Sequence, residues 1–185
     1  GTVGLIPKQI NKKLSHIKKA NHNDLIVMVG GRVGKDGIHG ATFSSEELDP
    51  NSPVSAVQIG DPITQKKLSD VIIKELRDRD LYTSITDNGA GGLSSSIGEM
   101  AKESGGFIVN LEKIPLKYKG LYPWEIWISE SQERMTLAVK PKNAKTVIKI
   151  FKKRGVEATV IGKFTKQKKA VVKYNRIEVL NLDMN

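Results

Sequence analysis

A glycine-rich stretch at residues 30–40 has the composition of an anion-binding loop. It contains five glycines, three charged side chains and a histidine, and it follows the apolar run 25–29. Glycine has no side chain that keeps a ligand away from the backbone, so a strand that ends here offers bare N–H groups to an anion. The positive side chains can add to that attraction. The stretch therefore predicts a candidate phosphate loop, formed by Gly31, Arg32, Gly34, Lys35 and His39.

The loop matches neither of the two common nucleotide-phosphate motifs. A P-loop reads Gly-x-x-x-x-Gly-Lys-Ser/Thr, whereas the spacing from Gly30 to Gly34 is one residue short and Asp36 stands in place of the hydroxyl. The Rossmann pattern Gly-x-Gly-x-x-Gly is also absent. The motif does not establish nucleotide binding, and a long flexible turn is the alternative interpretation.

A carboxylate at the end of a predicted strand, Asp87, is the best candidate for a metal ligand. It precedes the glycine-rich turn 88–92 and the start of a predicted helix. Mg²⁺ prefers oxygen ligands, and the free N–H groups of a helix start can hold the phosphate that accompanies the metal. The alternative is that Asp87 only caps the turn.

A polar cluster that follows the apolar helix predicted at 123–129 is a further candidate binding site. Glu130, Ser131 and Gln132 carry donors and acceptors that can bind ribose hydroxyls or an amide. Gln58 lies within the apolar strand predicted at 56–59, and a buried amide needs partners. It therefore either braces a neighbouring loop or faces a ligand. For the cluster, exposed polar groups at a helix end are the alternative.

Composition limits the class of protein. A chain of 185 residues can form one domain with a real core, and the absence of cysteine excludes disulfides and thiolate metal sites. No apolar run approaches the roughly 20 residues that span a bilayer, and no signal peptide is visible, so we expect a cytoplasmic protein without membrane contact. The net charge of +10 suggests anionic partners. Because no aromatic platform accompanies the lysines of 140–173, a solvated surface is favoured over nucleic-acid binding.

The order of the predicted elements indicates an α+β fold, a mixed sheet with helices packed on it. Residues 1–24 are basic and irregular and are expected to form a connector, with the domain at 25–185. Strands 158–164 and 170–174 are expected to pair around the turn at 166–169. The other strands are predicted at 25–29, 56–59, 81–86, 107–111, 135–139 and 177–182. Helices are predicted at 63–79, from 93 to the glycines at 105–106, at 123–129 and at 143–154, with Asn143 as the cap of the last.

Four segments taken in order are more specific than any one of them: 30–43, 57–62, 86–96 and 129–135. Through them the chain resembles the synthetase subunit of phosphoribosylformylglycinamidine synthase, an enzyme of purine biosynthesis. The resemblance covers nearly the whole chain from Asp24 onward. The part of that subunit that the chain resembles is the C-terminal, AIR-synthetase-like domain of the first of two related halves. The resemblance implies a ferredoxin-like C-terminal part and a missing preceding domain.

The resemblance implies an ATP-dependent carbon–nitrogen ligase. ATP activates the amide oxygen of formylglycinamide ribonucleotide as an iminophosphate, and ammonia from a glutaminase subunit or domain displaces the phosphate to give the amidine. Mg²⁺ accompanies the nucleotide. Asp87 matches the family's magnesium-binding aspartate, and Gln58, Glu130, Ser131 and Gln132 match its substrate-binding residues.

The family's catalytic histidines and most of its ATP contacts belong to the preceding domain, and His39 is not one of those histidines. We therefore expect no catalytic residue in this chain and no activity from the chain alone. The turn after the aspartate, often Met-Gly-Ala-Ala-Gly in the family, differs at 88–92 but should keep its shape. The alternatives are another ATP-dependent enzyme of the AIR-synthetase superfamily, a basic nucleic-acid-binding module and a non-catalytic assembly domain.

Overall fold

A computed structural model of the chain describes residues 8–10, 13–14, 19–43, 57 and 59–185. Over these residues the strands are β1 (Gln9–Ile10), β2 (Lys13–Leu14), β3 (Leu25–Gly30), β4 (Ser84–Asp87), β5 (Phe107–Asn110), β6 (Arg134–Val139), β7 (Glu157–Phe164), β8 (Lys169–Tyr174) and β9 (Ile177–Asp183). The α-helices are α1 (Gly40–Phe43), α2 (Pro62–Val71), α3 (Gly92–Ser104), α4 (Pro123–Ile128) and α5 (Pro141–Lys153). A π-helical segment (Ile72–Arg77) extends α2, and a 3₁₀ turn (Leu111–Lys113) follows β5.

Seven of these strands form one mixed sheet, in the order β4-β6-β3-β7-β5-β8-β9, while β1 pairs with β2. Neighbouring strands in the sheet are antiparallel except β5 and β8, which are parallel. The predicted α+β class, a mixed sheet with helices packed on it, is confirmed. The topology also brings the carboxyl ends of β3 and β4 and the amino end of β6 to one edge, because Gly30 lies opposite Arg134 and Asp87 opposite Met135.

The expected pairing of 158–164 with 170–174 is wrong, because β5 lies between β7 and β8. Phe107 pairs with Phe164 on one side and with Ala170 on the other. A connection of four residues can reach about 13 Å, which exceeds the roughly 9.6 Å between two strands that flank a third. The chain enters β5 at Gly106, where a Cβ atom would lie 2.6 Å from the carbonyl oxygen of Lys169. Glycine at this position therefore allows β5 to insert.

The central strand β3 is buried on both faces, as its unbroken apolar sequence predicts. Successive side chains of a strand point to opposite faces. Ile26 and Met28 therefore pack in the core formed with α3 and α4. Val27 and Val29 pack in the core formed with α2 and α5. The sheet thus lies between two helical layers, and its central strand is held from both sides.

Two helix boundaries show what local sequence can and cannot predict. Asp61 caps α2 by accepting hydrogen bonds from the N–H groups of Ile63 and Thr64. The prediction that Asn143 caps the last helix is wrong, because α5 begins at Pro141. Proline suits the first helical position, since its fixed φ is helical and its missing N–H would have no partner there.

The strand predicted at 56–59 lies partly outside the described residues. Val57 and Ile59 are described, and both are exposed and not part of a strand.

The predicted connector 1–24 contributes to the core. Ala20, which lies within it, is fully buried beside α3. The domain's packing therefore begins before residue 25.

Phe151 is the residue whose truncation should most clearly report the core beneath α2 and α5. Its side chain is fully buried. We expect Phe151→Ala to lower the free energy of unfolding of this chain by about 3–5 kcal/mol, because a cavity replaces well-packed atoms. Lys149→Ala, an exposed change on the same helix, should stay within about 0.5 kcal/mol of the parent. Urea unfolding followed by circular dichroism measures both, and equal effects would contradict the assigned face.

Candidate functional site

The glycine-rich loop is attached to its neighbours through backbone hydrogen bonds. The N–H of Gly31 donates to the carbonyl of Glu133 over 3.0 Å. Further along, the N–H of Val33 donates to the carbonyl of Pro115, and its carbonyl accepts from the N–H of Lys117. The loop therefore lies between the segment that follows β5 and the segment that precedes β6.

Two buried serines fasten the same loop to the polar cluster. The Ser129 hydroxyl donates to the carbonyl of Gly34 over 2.7 Å. The Ser131 hydroxyl accepts from the N–H of Gly34 over 3.0 Å and donates to Asp36 Oδ1 over 2.9 Å. A hydroxyl has one proton to donate, so Ser131 has already used it within the chain. Its side chain is 1% exposed, and it acts as a link between the two segments.

Both cations of the candidate phosphate loop are paired with carboxylates. Arg32 Nη2 lies 2.6 Å from Glu157 Oε1, and Lys35 Nζ lies 3.0 Å from Glu125 Oε1. The hydrogen bond to Glu157 raises the pKa of Arg32, and that to Glu125 raises the pKa of Lys35. His39 is exposed, with a φ of +60°. An entering phosphate would have to replace these internal partners.

Asp87 is exposed at the end of β4, in the position that the sequence predicts. Its Oδ1 atom accepts a hydrogen bond of 2.9 Å from the N–H of Gly89, so the carboxylate does cap the turn. A carboxylate has a second oxygen and further lone pairs, and capping therefore leaves it able to bind a cation. The two interpretations of Asp87 are compatible.

The turn after Asp87 is bonded directly to the polar cluster. The N–H of Gly91 donates to Glu130 Oε1 over 3.0 Å, and the N–H of Asn88 donates to the carbonyl of Arg134 over 3.2 Å. Glu130 is 5% exposed, so the carboxylate that accepts this bond is largely shielded from solvent. The structure thus brings together two of the segments that the sequence singles out.

Two glycines allow the loop backbones to approach each other. Gly92 has a φ of +56°, and a Cβ atom on it would lie 2.1 Å from the carbonyl oxygen of Ser129. Gly30 has a φ of +107°, and a Cβ atom on it would lie 2.0 Å from the carbonyl oxygen of Glu133. No side chain fits at those distances, and L residues rarely adopt such φ values.

Gln132 and Arg134 differ in their exposure. Gln132 is partly exposed, and its amide nitrogen donates to the carbonyl of Glu130 over 3.2 Å. Arg134 is 3% exposed, and burial lowers its pKa to about 10, a shift that nearby Asp36 opposes. The guanidinium therefore remains charged at neutral pH.

The sequence patterns assign no role to Arg134, Ser129 or Asp36. The signal for Arg134 was available. A charged residue that begins a buried apolar strand, 134–139, must find partners, because burying an unpaired charge is costly. Asp36 gave no comparable signal, because its partners lie far away along the chain.

Gln58 lies outside the described residues. Gly60, two positions later, lies beside the cluster, since a Cβ atom on it would be 3.5 Å from Glu133 Oε1.

Among the described residues, no group of three or more histidine, aspartate or glutamate side chains forms a metal cage. In that same part of the chain no helix is long and apolar enough to cross a membrane.

The fold and the site together define a family. Residues 21–175 match the model described as AIR synthase related protein, C-terminal domain, and the chain belongs to that family. Phosphoribosylformylglycinamidine synthase subunit PurL of Methanopyrus kandleri is 47% identical over 146 residues, which are 77% of this chain and 20% of that protein. The chain thus spans about a fifth of that relative's length.

Solved structures of Thermotoga maritima PurL have the same fold. PurL complexed with FGAR matches with a TM-score of 0.84 and 34% identity, over 94% of this chain and 29% of that one. PurL complexed with ATP matches with a TM-score of 0.78 and 30% identity, over 94% and 27%. The structure of PurLQS matches with a TM-score of 0.76 and 30% identity, over 90% and 26%.

Gly92 offers a direct test of the close contact within the site. We expect Gly92→Ala to destabilise the chain by at least about 2 kcal/mol, because it combines a strained left-handed conformation with an overpacked contact. Gly98→Ala is the matched control, since a Cβ atom at that position of α3 meets nothing within 4 Å. It should stabilise the chain by about 0.5–1 kcal/mol. Thermal unfolding measures both, and opposite signs are the expected result. Similar melting temperatures would contradict the contact.

Proposed function

We propose that this chain is the substrate- and magnesium-binding domain of a phosphoribosylformylglycinamidine synthase. In this reaction ATP phosphorylates the amide oxygen of formylglycinamide ribonucleotide (FGAR), and ammonia then displaces the phosphate to give the amidine. The hydrogen bond from the Gly91 N–H to Glu130 Oε1 is the observation that supports it most, because it joins the aspartate turn to the residues matched to substrate. The likeness to PurL complexed with FGAR supports the same substrate.

Each residue of the site has a proposed role that follows from its exposure and its partners. Gln132 lies at the rim with part of its surface open, and its amide can both donate to and accept from the substrate's hydroxyl groups. Glu130 is buried and holds the turn, so it contributes charge and position beneath the substrate. Ser131 contributes through the loop that it anchors. Gln58 remains proposed as a substrate-binding residue on the resemblance alone.

Asp87 is proposed as a magnesium ligand, and its surroundings suit that role. Mg²⁺ keeps several waters and is held by one or two carboxylates together with substrate phosphates, so a single exposed aspartate is sufficient from this domain. Magnesium neutralises charge on the phosphates during phosphoryl transfer. Within this chain, Asp87 would present one carboxylate oxygen while its other contact keeps the turn in place.

The remaining parts of the reaction are proposed to lie outside this domain. ATP is proposed to bind mostly through a preceding domain, and ammonia to come from a glutaminase subunit or domain. The structure of Thermotoga maritima PurL complexed with ATP supports ATP as the nucleotide, and that of PurLQS supports a partner subunit. A cytoplasmic location is part of the same proposal.

Asp87→Asn in the intact synthetase subunit tests the magnesium assignment. Asparagine retains an oxygen that can accept from the Gly89 N–H, so the turn should persist while the ligand loses its charge. We expect the Mg²⁺ concentration for half-maximal activity to rise at least tenfold, with an unchanged melting temperature. Asp183→Asn, an exposed change on β9, is the control. An unchanged magnesium titration would remove Asp87 from the site.

The division of the reaction between domains has its own test. The isolated chain, mixed with ATP, FGAR, Mg²⁺ and ammonia, should release no phosphate above background, because the catalytic histidines are expected elsewhere. The intact subunit under the same conditions should release phosphate in an FGAR-dependent manner. Turnover by the isolated chain would refute the proposed division. Failure of the active intact subunit to use FGAR would refute the substrate.

A further inference from the structure

We infer that Arg134 is a positioning residue, which holds the backbone around Glu130 in the conformation that presents the cluster to substrate. The inference rests on the proposed function for the identity of the substrate. The hydrogen bonds that support a positioning role all join described residues. Arg134 is buried beneath the cluster and acts through the loop before β6.

The guanidinium binds the main chain on both sides of Glu130. Arg134 Nε donates to the carbonyl of Ser131 over 2.7 Å, and Nη2 donates to the carbonyl of Ser129 over 2.5 Å. Two donors of one rigid planar group therefore fix two carbonyl groups that flank a single residue. Arginine alone offers such a fork, because a lysine ammonium is a point charge on a flexible stem.

The loop needs this support because its conformation is unfavourable. Glu133 has a φ of +56°, which non-glycine residues rarely adopt. Its carbonyl accepts from the Gly31 N–H, and the carbonyl of Arg134 accepts from the Asn88 N–H. The backbone at 129–134 thus receives hydrogen bonds from both glycine-rich turns. Its shape determines where those turns lie.

Stability alone does not account for a buried arginine at this position. Its Nη1 atom has no hydrogen-bond partner among the described residues. Burying a charge with an unsatisfied donor is costly, and a buried ion pair is by itself weak evidence of added stability. The opposing charge is Asp36, whose Oδ2 atom also accepts from Lys117 Nζ over 2.8 Å. The buried arginine therefore serves to specify one conformation of the loop more than to raise the free energy of unfolding.

Two substitutions in the active intact subunit separate positioning from stability. Arg134→Lys keeps the charge and loses the fork, while Arg134→Met removes both and keeps an apolar side chain of similar length. We expect each to raise KM for FGAR at least tenfold, with KM for ATP unchanged within twofold. Arg134→Met should lower the melting temperature modestly, because the carbonyls of Ser129 and Ser131 lose their donor. Arg79→Lys and Arg79→Met, at an exposed position away from the site, are the matched controls.

An unchanged KM for FGAR in the folded Arg134 variants would overturn the inference. So would equal losses in FGAR and ATP kinetics that follow a lowered melting temperature, since these would indicate a structural role only. Hydrogen–deuterium exchange on the isolated chain tests the geometry even if the substrate is wrong. Arg134→Met should speed amide exchange at 88–91 and 129–133 but not in β3. An equal increase in exchange rate in all three segments would refute the positioning role of Arg134.

Discussion

The site depends on the close approach of three backbones at one edge of the sheet. β3 and β4 end there and β6 begins there, so the loops that follow or precede them must share one small volume. The carbonyl groups of Ser129 and Glu133 occupy the space where side chains on Gly92 and Gly30 would otherwise lie. At such distances the backbone groups bond to each other directly. The glycines are therefore structural requirements of the site before they are ligand-binding groups.

The basic side chains in and beside the glycine-rich loop are paired with carboxylates of the same chain. Arg32, Lys35 and Lys117 each pair with a carboxylate, and Asp36 faces both Lys117 and the buried Arg134. The Arg32–Glu157 pair is exposed on both sides and contributes little to stability because water screens it. Lys35 and Lys117 reach the largely buried carboxylates of Glu125 and Asp36, and these two pairs help to hold the glycine-rich loop in one arrangement. A ligand of the loop would have to compete with these partners.

Most elements of the fold could be predicted from periodicity and turn residues. The apolar run before the loop is β3, and the apolar stripe of Leu93, Ile97, Met100 and Ala101 is the buried face of α3. The separation of β7 from β8 by β5 could not be predicted, because a connection of four residues permits either a direct hairpin or a strand between them. β5 takes that place through contacts that are distant in sequence, at Phe164 and Ala170.

By itself the sequence determined which residues could do chemistry, since residue type decides which groups can bind a cation or donate a proton. It also determined where the strands end, and hence that Asp87 and the 130–132 cluster follow or precede buried elements. Only the tertiary structure decided that Ser131 and Glu130 bind the neighbouring turns, and that Arg134 lies beneath them with Asp36. The physical reason is that a hydrogen bond depends on distance in space, and sheet topology sets that distance for residues nearly a hundred positions apart.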